Sequence, residues 1–187
     1  AGQVDVAQSP HPLLIPSRGA ARLVMVHDLD FLDHPERTTA EIRRDYPALA
    51  PDHVRRADRV VVVSEHTASE VEARLGVPRA RMSICPPGAL QWTARTQEPE
   101  PDACILFLGT LEPRKNVGVL VEAYERLLSR QPGVAPLVLA GRVTPDAEPI
   151  VARVRRPPLA GHVQVLGYIE PERRLDLYRR ALVFVLP

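Results

Sequence analysis

A chain of 187 residues has room for one large domain or two small ones. Its 24 Lys plus Arg against 23 Asp plus Glu leave no basic field of the kind that bulk nucleic-acid binding needs, so nucleic acid is not an expected partner. No apolar run reaches membrane-spanning length, and two cysteines, Cys85 and Cys104, are too few for a thiolate metal centre.

Residues 1–20 are Pro-rich and read as irregular, with a short apolar patch at Leu13-Leu14-Ile15. They lack the charged start and long apolar stretch of a signal peptide, which makes the cytoplasm the default compartment. Arg22 to Val26 reads as a buried strand, and His27-Asp28 stands just past its tip. Open α/β folds bind ligands at that carboxyl edge. His27 is therefore either a ligand-facing residue or a histidine fixed by Asp28 or a backbone carbonyl. Glu36 to Asp45 predicts a helix broken by Pro47, and Pro51 to Ala57 a second short one. Arg43, Arg44, Arg55 and Arg56 alternate with Glu41, Asp45, Asp52 and Asp58. That mixture reads as a solvated face more than as a surface for an anionic acceptor or lipid.

Val60 to Val63 is a β-branched run of the kind buried in parallel sheets. Ser64 is placed to N-cap a helix from Glu65 to Leu75, which Gly76 and Pro78 end. Arg81 to Cys85 predicts one more short strand. Cys85 and Cys104 both fall in or beside strands and are expected to be buried free thiols. Residues 91–103 are polar and Pro-rich without an apolar period, which marks an interdomain linker between domains at 1–90 and 104–187. Trp92 in that stretch can pack to either side.

Cys104 to Leu108 is an apolar strand-length run that stops at Gly109. A polar turn with two adjacent cations, Arg114 and Lys115, leads to Asn116, a helix N-cap by position. Val117, Leu120, Val121, Tyr124, Leu127 and Leu128 then fall at helical spacing. The start of such a helix presents unpaired N–H groups and a partial positive charge, and Arg114 and Lys115 add two full charges there. The alternatives are a phosphate site and two solvated loop cations. Pro136 to Ala140 is the next strand, with Gly141 and Arg142 past its tip. A helix over Glu148 to Arg156, a strand over His162 to Leu166, a helix from Pro171 to Arg180 and a strand over Leu182 to Leu186 complete the pattern. Strand and helix alternate throughout, which argues for parallel sheets.

The string GTLEPRKN closely resembles the loop that opens the C-terminal domain of retaining glycosyltransferases of family 4, which have the two-domain GT-B fold. HDL after the early strand, ADRVVVVSEHT, LVLAG and VQVLGYIEPERRLDLYRRALVFVLP also have counterparts in that family. The resemblance runs from about Arg22 to Pro187 and is most specific at GTLEPRKN. It implies an α/β protein of GT-B type with two Rossmann-like parallel-sheet domains, both partial in this chain. The implied donor is a nucleotide-diphosphate sugar, with mannosyl transfer as one variant. The acceptor is a sugar, a lipid-linked acceptor or a small molecule, and peripheral membrane contact is compatible with the family. The composition points to a bacterial source.

By the same resemblance, Gly109, Thr110, Arg114, Lys115 and Asn116 hold the donor diphosphate, and Gly167, Tyr168 and Ile169 meet the nucleotide base. His27, Arg114 and Lys115 are the catalytic candidates, and Ser64 stands near the ligand edge. No metal and no cofactor beyond the donor is implied. Pro86-Pro87-Gly88 departs from the family, which more often has Asn between Pro and Gly, so Gly88 is given no binding role. Family members also carry two glutamates seven residues apart after the strand matching Leu182 to Leu186, and a Gly-rich loop after the first strand; neither is in this sequence. Missing segments or a second chain are expected to complete the domains, and residues 1–187 alone are expected to transfer little or no sugar. Two other classes remain open: a non-catalytic nucleotide-binding or interaction module, which absence of the glutamate pair from the full gene would mark, and a sugar epimerase or phosphorylase on the same fold.

Overall fold

The computed structural model describes residues 4–89, 91–93, 96 and 103–187. It falls into two compact units, Ala1–Leu90 and Gln91–Pro187. Most of the linker expected at 91–103 lies outside the described residues.

Unit 1 is a four-stranded parallel sheet in chain order: β1 (Val6–Ser9), β2 (Ala21–Val26), β3 (Arg59–Val62) and β4 (Met82–Ile84). Helix α1 (Asp30–Asp33) follows β2, α2 (Ala40–Arg56) leads to β3, and α3 (Glu65–Leu75) leads to β4. Val24, Val26, Val60 and Val62 are fully buried against Ala50, Val54, Ala68 and Val71. The α3 expectation holds residue for residue: Ser64 Oγ accepts from the Thr67 N–H at 3.1 Å, and Gly76 ends the helix at φ 68°.

Three expectations for unit 1 are corrected. β1 forms in a stretch read as irregular, because pairing with β2, Val6 opposite Ala21, supplies the order that the sequence VAQS does not announce. Glu36–Asp45 and Pro51–Ala57 are not two helices; α2 is continuous through Pro47 and Pro51. An interior proline costs about 3 kcal/mol or more. Here Ile42, Tyr46, Ala50 and Val54 recur every fourth residue and all pack into the unit 1 core, so tertiary burial holds the helix together. Cys85 is exposed rather than buried, because it lies beyond β4; neither Cys85 nor Cys104 is in a disulfide.

Unit 2 is a second four-stranded parallel sheet, built from β5 (Cys104–Leu108), β6 (Leu137–Ala140), β7 (Val163–Gly167) and β8 (Ala181–Phe184) in the order β7-β6-β5-β8. Helices α4 (Val117–Arg130), α5 (Glu148–Val154) and α6 (Pro171–Arg180) connect the strands. Alternation along β5 feeds two cores. Ile105 and Phe107 join Val117, Val121 and Tyr124 of α4. Cys104 and Leu106 join Leu177 of α6 and Ile169. Tyr124 also sets its hydroxyl 3.1 Å from the carbonyls of Ala135 and His162, tying α4 to the entries of β6 and β7.

Two apolar stretches of unit 2 lie partly at the surface. Leu127 of α4 is 37% exposed, being on the flank of the helical stripe. Leu182, Val183 and Phe184 are exposed; among the described residues β8 is an edge strand with only β5 beside it. Trp92 packs on Tyr178 of α6, ring centroids 5.3 Å apart. Among the described residues no helix is long and apolar enough to cross a membrane.

Candidate functional site

The candidate site in unit 2 lies where β5 and β6 end. The chain leaves the sheet at Gly109, whose N–H donates to the Ala140 carbonyl at 2.9 Å. Leu111 is fully buried and anchors the loop from beneath. Its N–H donates to the Arg142 carbonyl at 2.8 Å. Its own carbonyl accepts from both the N–H and the hydroxyl of Thr144, at 3.1 and 2.9 Å. Gly141 N–H reaches the Gly167 carbonyl at 2.7 Å, so the tips of β5, β6 and β7 are laced together through main-chain groups.

That lacing needs Gly141. Its φ of 140° favours glycine, and a Cβ there would sit 1.9 Å from the Gly109 carbonyl oxygen. Sequence reasoning placed Gly141 only as a strand end and did not single out Leu111 or Thr144. A Gly directly after LVLA was a usable signal for a close backbone approach.

Beyond Leu111 the chain makes a short 3-10 turn over Pro113–Lys115 and enters α4 through Asn116. Asn116 precedes the helix as expected, but its side chain does not cap it. It adopts φ 51°, ψ 29°, and it is the Asn116 carbonyl that accepts from Val119 N–H at 3.1 Å. With no capping side chain and no acidic residue in its first turn, the positive end of α4 is uncompensated.

Arg114 is half-exposed and donates to Glu112 Oε1 at 2.9 Å, so a carboxylate already counters part of its charge. Lys115 is half-buried and makes no ion pair among the described residues. Arg142, at the tip of β6, is exposed. Gly109 and Thr110 are half-buried beside these cations. The arrangement offers main-chain donors, a helix start and three cations against one carboxylate, which suits an anion with several oxygens.

The three residues expected to meet a base separate in character. Gly167 has φ 71° and its carbonyl is held by Gly141. Tyr168 is 63% exposed, while the Ile169 side chain is buried against Leu106 and Ala140. Ile169 therefore has only its main chain to offer a ligand.

In unit 1, His27 lies just past β2, exposed, with Nε2 3.3 Å from the Pro10 carbonyl. Asp28 does not hold it: Asp28 Oδ1 accepts from the Asp30 N–H at 3.1 Å. Ser64 Oγ is committed to the α3 cap and to the Thr67 hydroxyl at 3.0 Å, and Thr67 Oγ1 donates to the His27 carbonyl at 3.2 Å. A cleft of about 220 Å³ opens beside this tip, between Asp28, Asp33, Thr67 and Arg74. Two hydrogen bonds from Arg74, at 2.7 and 2.8 Å, hold the Asp33 carboxyl below the usual carboxylate range. Among the described residues no cluster of His, Cys, Asp and Glu could hold a metal ion.

Residues 90–187 match the family described as glycosyl transferases group 1, and residues 2–89 match glycosyltransferase family 4. Among curated proteins, the chain is 25% identical to O-antigen chain mannosyltransferase B of Escherichia coli, over 92% of this chain and 48% of that protein. It is 28% identical to D-inositol 3-phosphate glycosyltransferase of Nocardia farcinica, over 70% of this chain and 32% of that protein. The chain thus spans half or less of the curated relatives it matches. Among solved structures it resembles WaaG, a glycosyltransferase involved in lipopolysaccharide biosynthesis, at TM-score 0.63 and 13% identity, covering 92% of this chain and 50% of that one. It also resembles Anabaena HepE in complex with UDP, at TM-score 0.52 and 16% identity, covering 79% of this chain and 42% of that one. Two parallel-sheet α/β units and the family match across residues 90–187 make this chain a member of the glycosyl transferases group 1 family, on the GT-B fold.

Proposed function

We propose that the full protein transfers a sugar from a nucleotide-diphosphate donor to an acceptor hydroxyl with retention of configuration, the loop Gly109–Asn116 holding the donor diphosphate. The observation that carries this is the loop itself. Lys115 stands unpaired among the described residues, at the uncapped start of α4, on a backbone clamped to the tip of β6. Fixed cations and N–H groups stabilise charge that develops on a leaving group without having to reorganise first.

In the proposed step the bond from the sugar C1 to the diphosphate oxygen breaks, and a bond from the acceptor oxygen to C1 forms on the same face. The acceptor proton passes to the departing diphosphate oxygen. Lys115 and Arg114 stabilise that diphosphate, Arg114 less because Glu112 partly neutralises it. Gly109, Thr110 and Asn116 shape the pocket around it, and Gly167 to Ile169 offer main-chain groups to the base. His27, held from one side by the Pro10 carbonyl, orients sugar and acceptor. No metal or cofactor beyond the donor is assigned a part.

Mannosyl transfer is the favoured variant, since relatives include O-antigen chain mannosyltransferase B and a phosphatidyl-myo-inositol mannosyltransferase of Mycolicibacterium smegmatis. The acceptor is a sugar, a lipid-linked acceptor or a small molecule, met in the cytoplasm with peripheral membrane contact where it is lipid-linked. A thermal-shift screen of the full-length protein against UDP, GDP, ADP and their sugars tests the reading. Stabilisation by one diphosphate and its sugar supports it; no response to any removes it.

A further inference from the structure

The other end of the unit 1 sheet carries a cavity of about 500 Å³ at the start of β2. Arg18, Arg22, Arg56, His53 and Ser17 line it, together with the stretch Leu14-Ile15-Pro16, and among the described residues no carboxylate does. Arg22 and His27 are five residues apart along β2 and its tip, which at strand rise is roughly 16 Å. The cavity is therefore distinct from the carboxyl edge where His27 stands.

Its polar groups are donors. Asp58 pairs with Arg22 at 3.3 Å and Asp52 with Arg56 at 3.0 Å, while Arg18 makes no ion pair among the described residues, so one guanidinium charge is left over. His53 Nδ1 accepts the Leu14 N–H at 3.1 Å, which leaves Nε2 to carry the proton and donate. Ser17 Oγ is buried without a hydrogen-bond partner among the described residues. The carbonyls at the end of α2 are already engaged and leave nothing for Arg18. Arg22 donates to the Arg56 carbonyl at 2.9 Å, and Arg81 donates to those of Arg55 and Ala57. The negative end of that helix is thus already covered.

We infer that this cavity is a second, non-catalytic site that binds a phosphate ester. Arginine forks match phosphate oxygens, and a buried hydroxyl and an imidazole N–H supply the remaining donors. Leu14, Ile15 and Pro16, with Ile15 43% exposed, give the organic part of the ester an apolar wall. The ester is either a soluble phosphomonoester or the headgroup of an anionic lipid, and the chemistry recognised is the same. This site does not depend on the reading of the Gly109–Asn116 loop.

The test uses full-length protein carrying Arg114→Ala and Lys115→Ala, so that the loop contributes no phosphate binding. Glycerol 3-phosphate is titrated by calorimetry, and sedimentation with phosphatidylglycerol vesicles is compared with phosphatidylcholine vesicles. Arg18→Gln is the main variant, since Arg18 holds no partner whose loss threatens the fold; Arg56→Gln is the second. Binding weakened about tenfold by Arg18→Gln is expected, the loss of one charged hydrogen bond. Loss in both arms identifies a lipid source, and loss with glycerol 3-phosphate alone a soluble one; either supports the site. No binding in either arm, or binding that Arg18→Gln and Arg56→Gln leave unchanged, overturns it.

Discussion

Gly141 and Gly109 approach so closely that a Cβ on Gly141 would lie 1.9 Å from the Gly109 carbonyl oxygen and 2.5 Å from its carbon. Both atoms are backbone, so they cannot swing aside as a side-chain tip could. Gly141→Ala must therefore push the loop after β5 off the tip of β6, and it also forces a β-carbon onto φ 140°. We expect a loss of about 2–4 kcal/mol in stability and weakened donor binding. Denaturant unfolding and donor titration of the variant check this; wild-type values for both would contradict the lacing.

Thr144 tests the same lacing more gently. Its hydroxyl donates to the Leu111 carbonyl at 2.9 Å alongside its own N–H. Thr144→Val keeps the shape and the main-chain bond and loses only the hydroxyl, which should cost about 1 kcal/mol. Thr144→Ser should restore it. Hydrogen exchange at the Leu111 amide is expected to quicken in the valine variant and return in the serine variant. Equal exchange in both would show that the hydroxyl does not hold the loop.

Lys115 and Arg114 should differ. A charged hydrogen bond is worth about 1.5–3 kcal/mol, so Lys115→Ala should lower kcat/KM of the full enzyme about 10- to 100-fold. Arg114→Ala should do less, because Glu112 already takes part of its charge. Arg130→Ala, at the far end of α4, should do little. Steady-state kinetics on the three variants decides; equal losses for Lys115 and Arg130 would remove Lys115 from the site.

Asp33 links stability to pH. Its folded-state pKa is depressed, first by the hydrogen bonds from Arg74 and then by that cation's charge. A depressed carboxyl stabilises the fold above its unfolded pKa, and the contribution is lost as pH falls through the folded value. The Tm gap between wild type and Arg74→Gln should be full near neutral pH and close in acid, below the usual carboxylate range near ~3.9. A gap that stays constant down to acid unfolding would contradict the coupling.

Most of the fold is legible because local and tertiary signals agree. α3 carries its Ser64 cap, its Gly76 stop and its apolar stripe in one reading frame. α2 was hidden because Pro47 and Pro51 announce a break, while the every-fourth-residue stripe that keeps it whole works only against a core elsewhere in the chain. β1 is short and polar and exists through β2. At the site, the cations and the helix start show in the string GTLEPRKN. The conformation that presents them does not. Asn116 in the left-handed region has no mark in that string, and the bonds from Leu111 to Arg142 and Thr144 depend on residues some thirty positions away.

The central claim, that the Gly109–Asn116 loop grips a donor diphosphate, is tested most directly by calorimetric titration of UDP, GDP and ADP into full-length wild type and its Lys115→Ala variant. One nucleoside diphosphate should bind the wild type, weaken with rising salt, and bind the variant about 10-fold or more less tightly at unchanged Tm. Equal affinity in the two proteins, or no binding of any of the three to wild type, would contradict it.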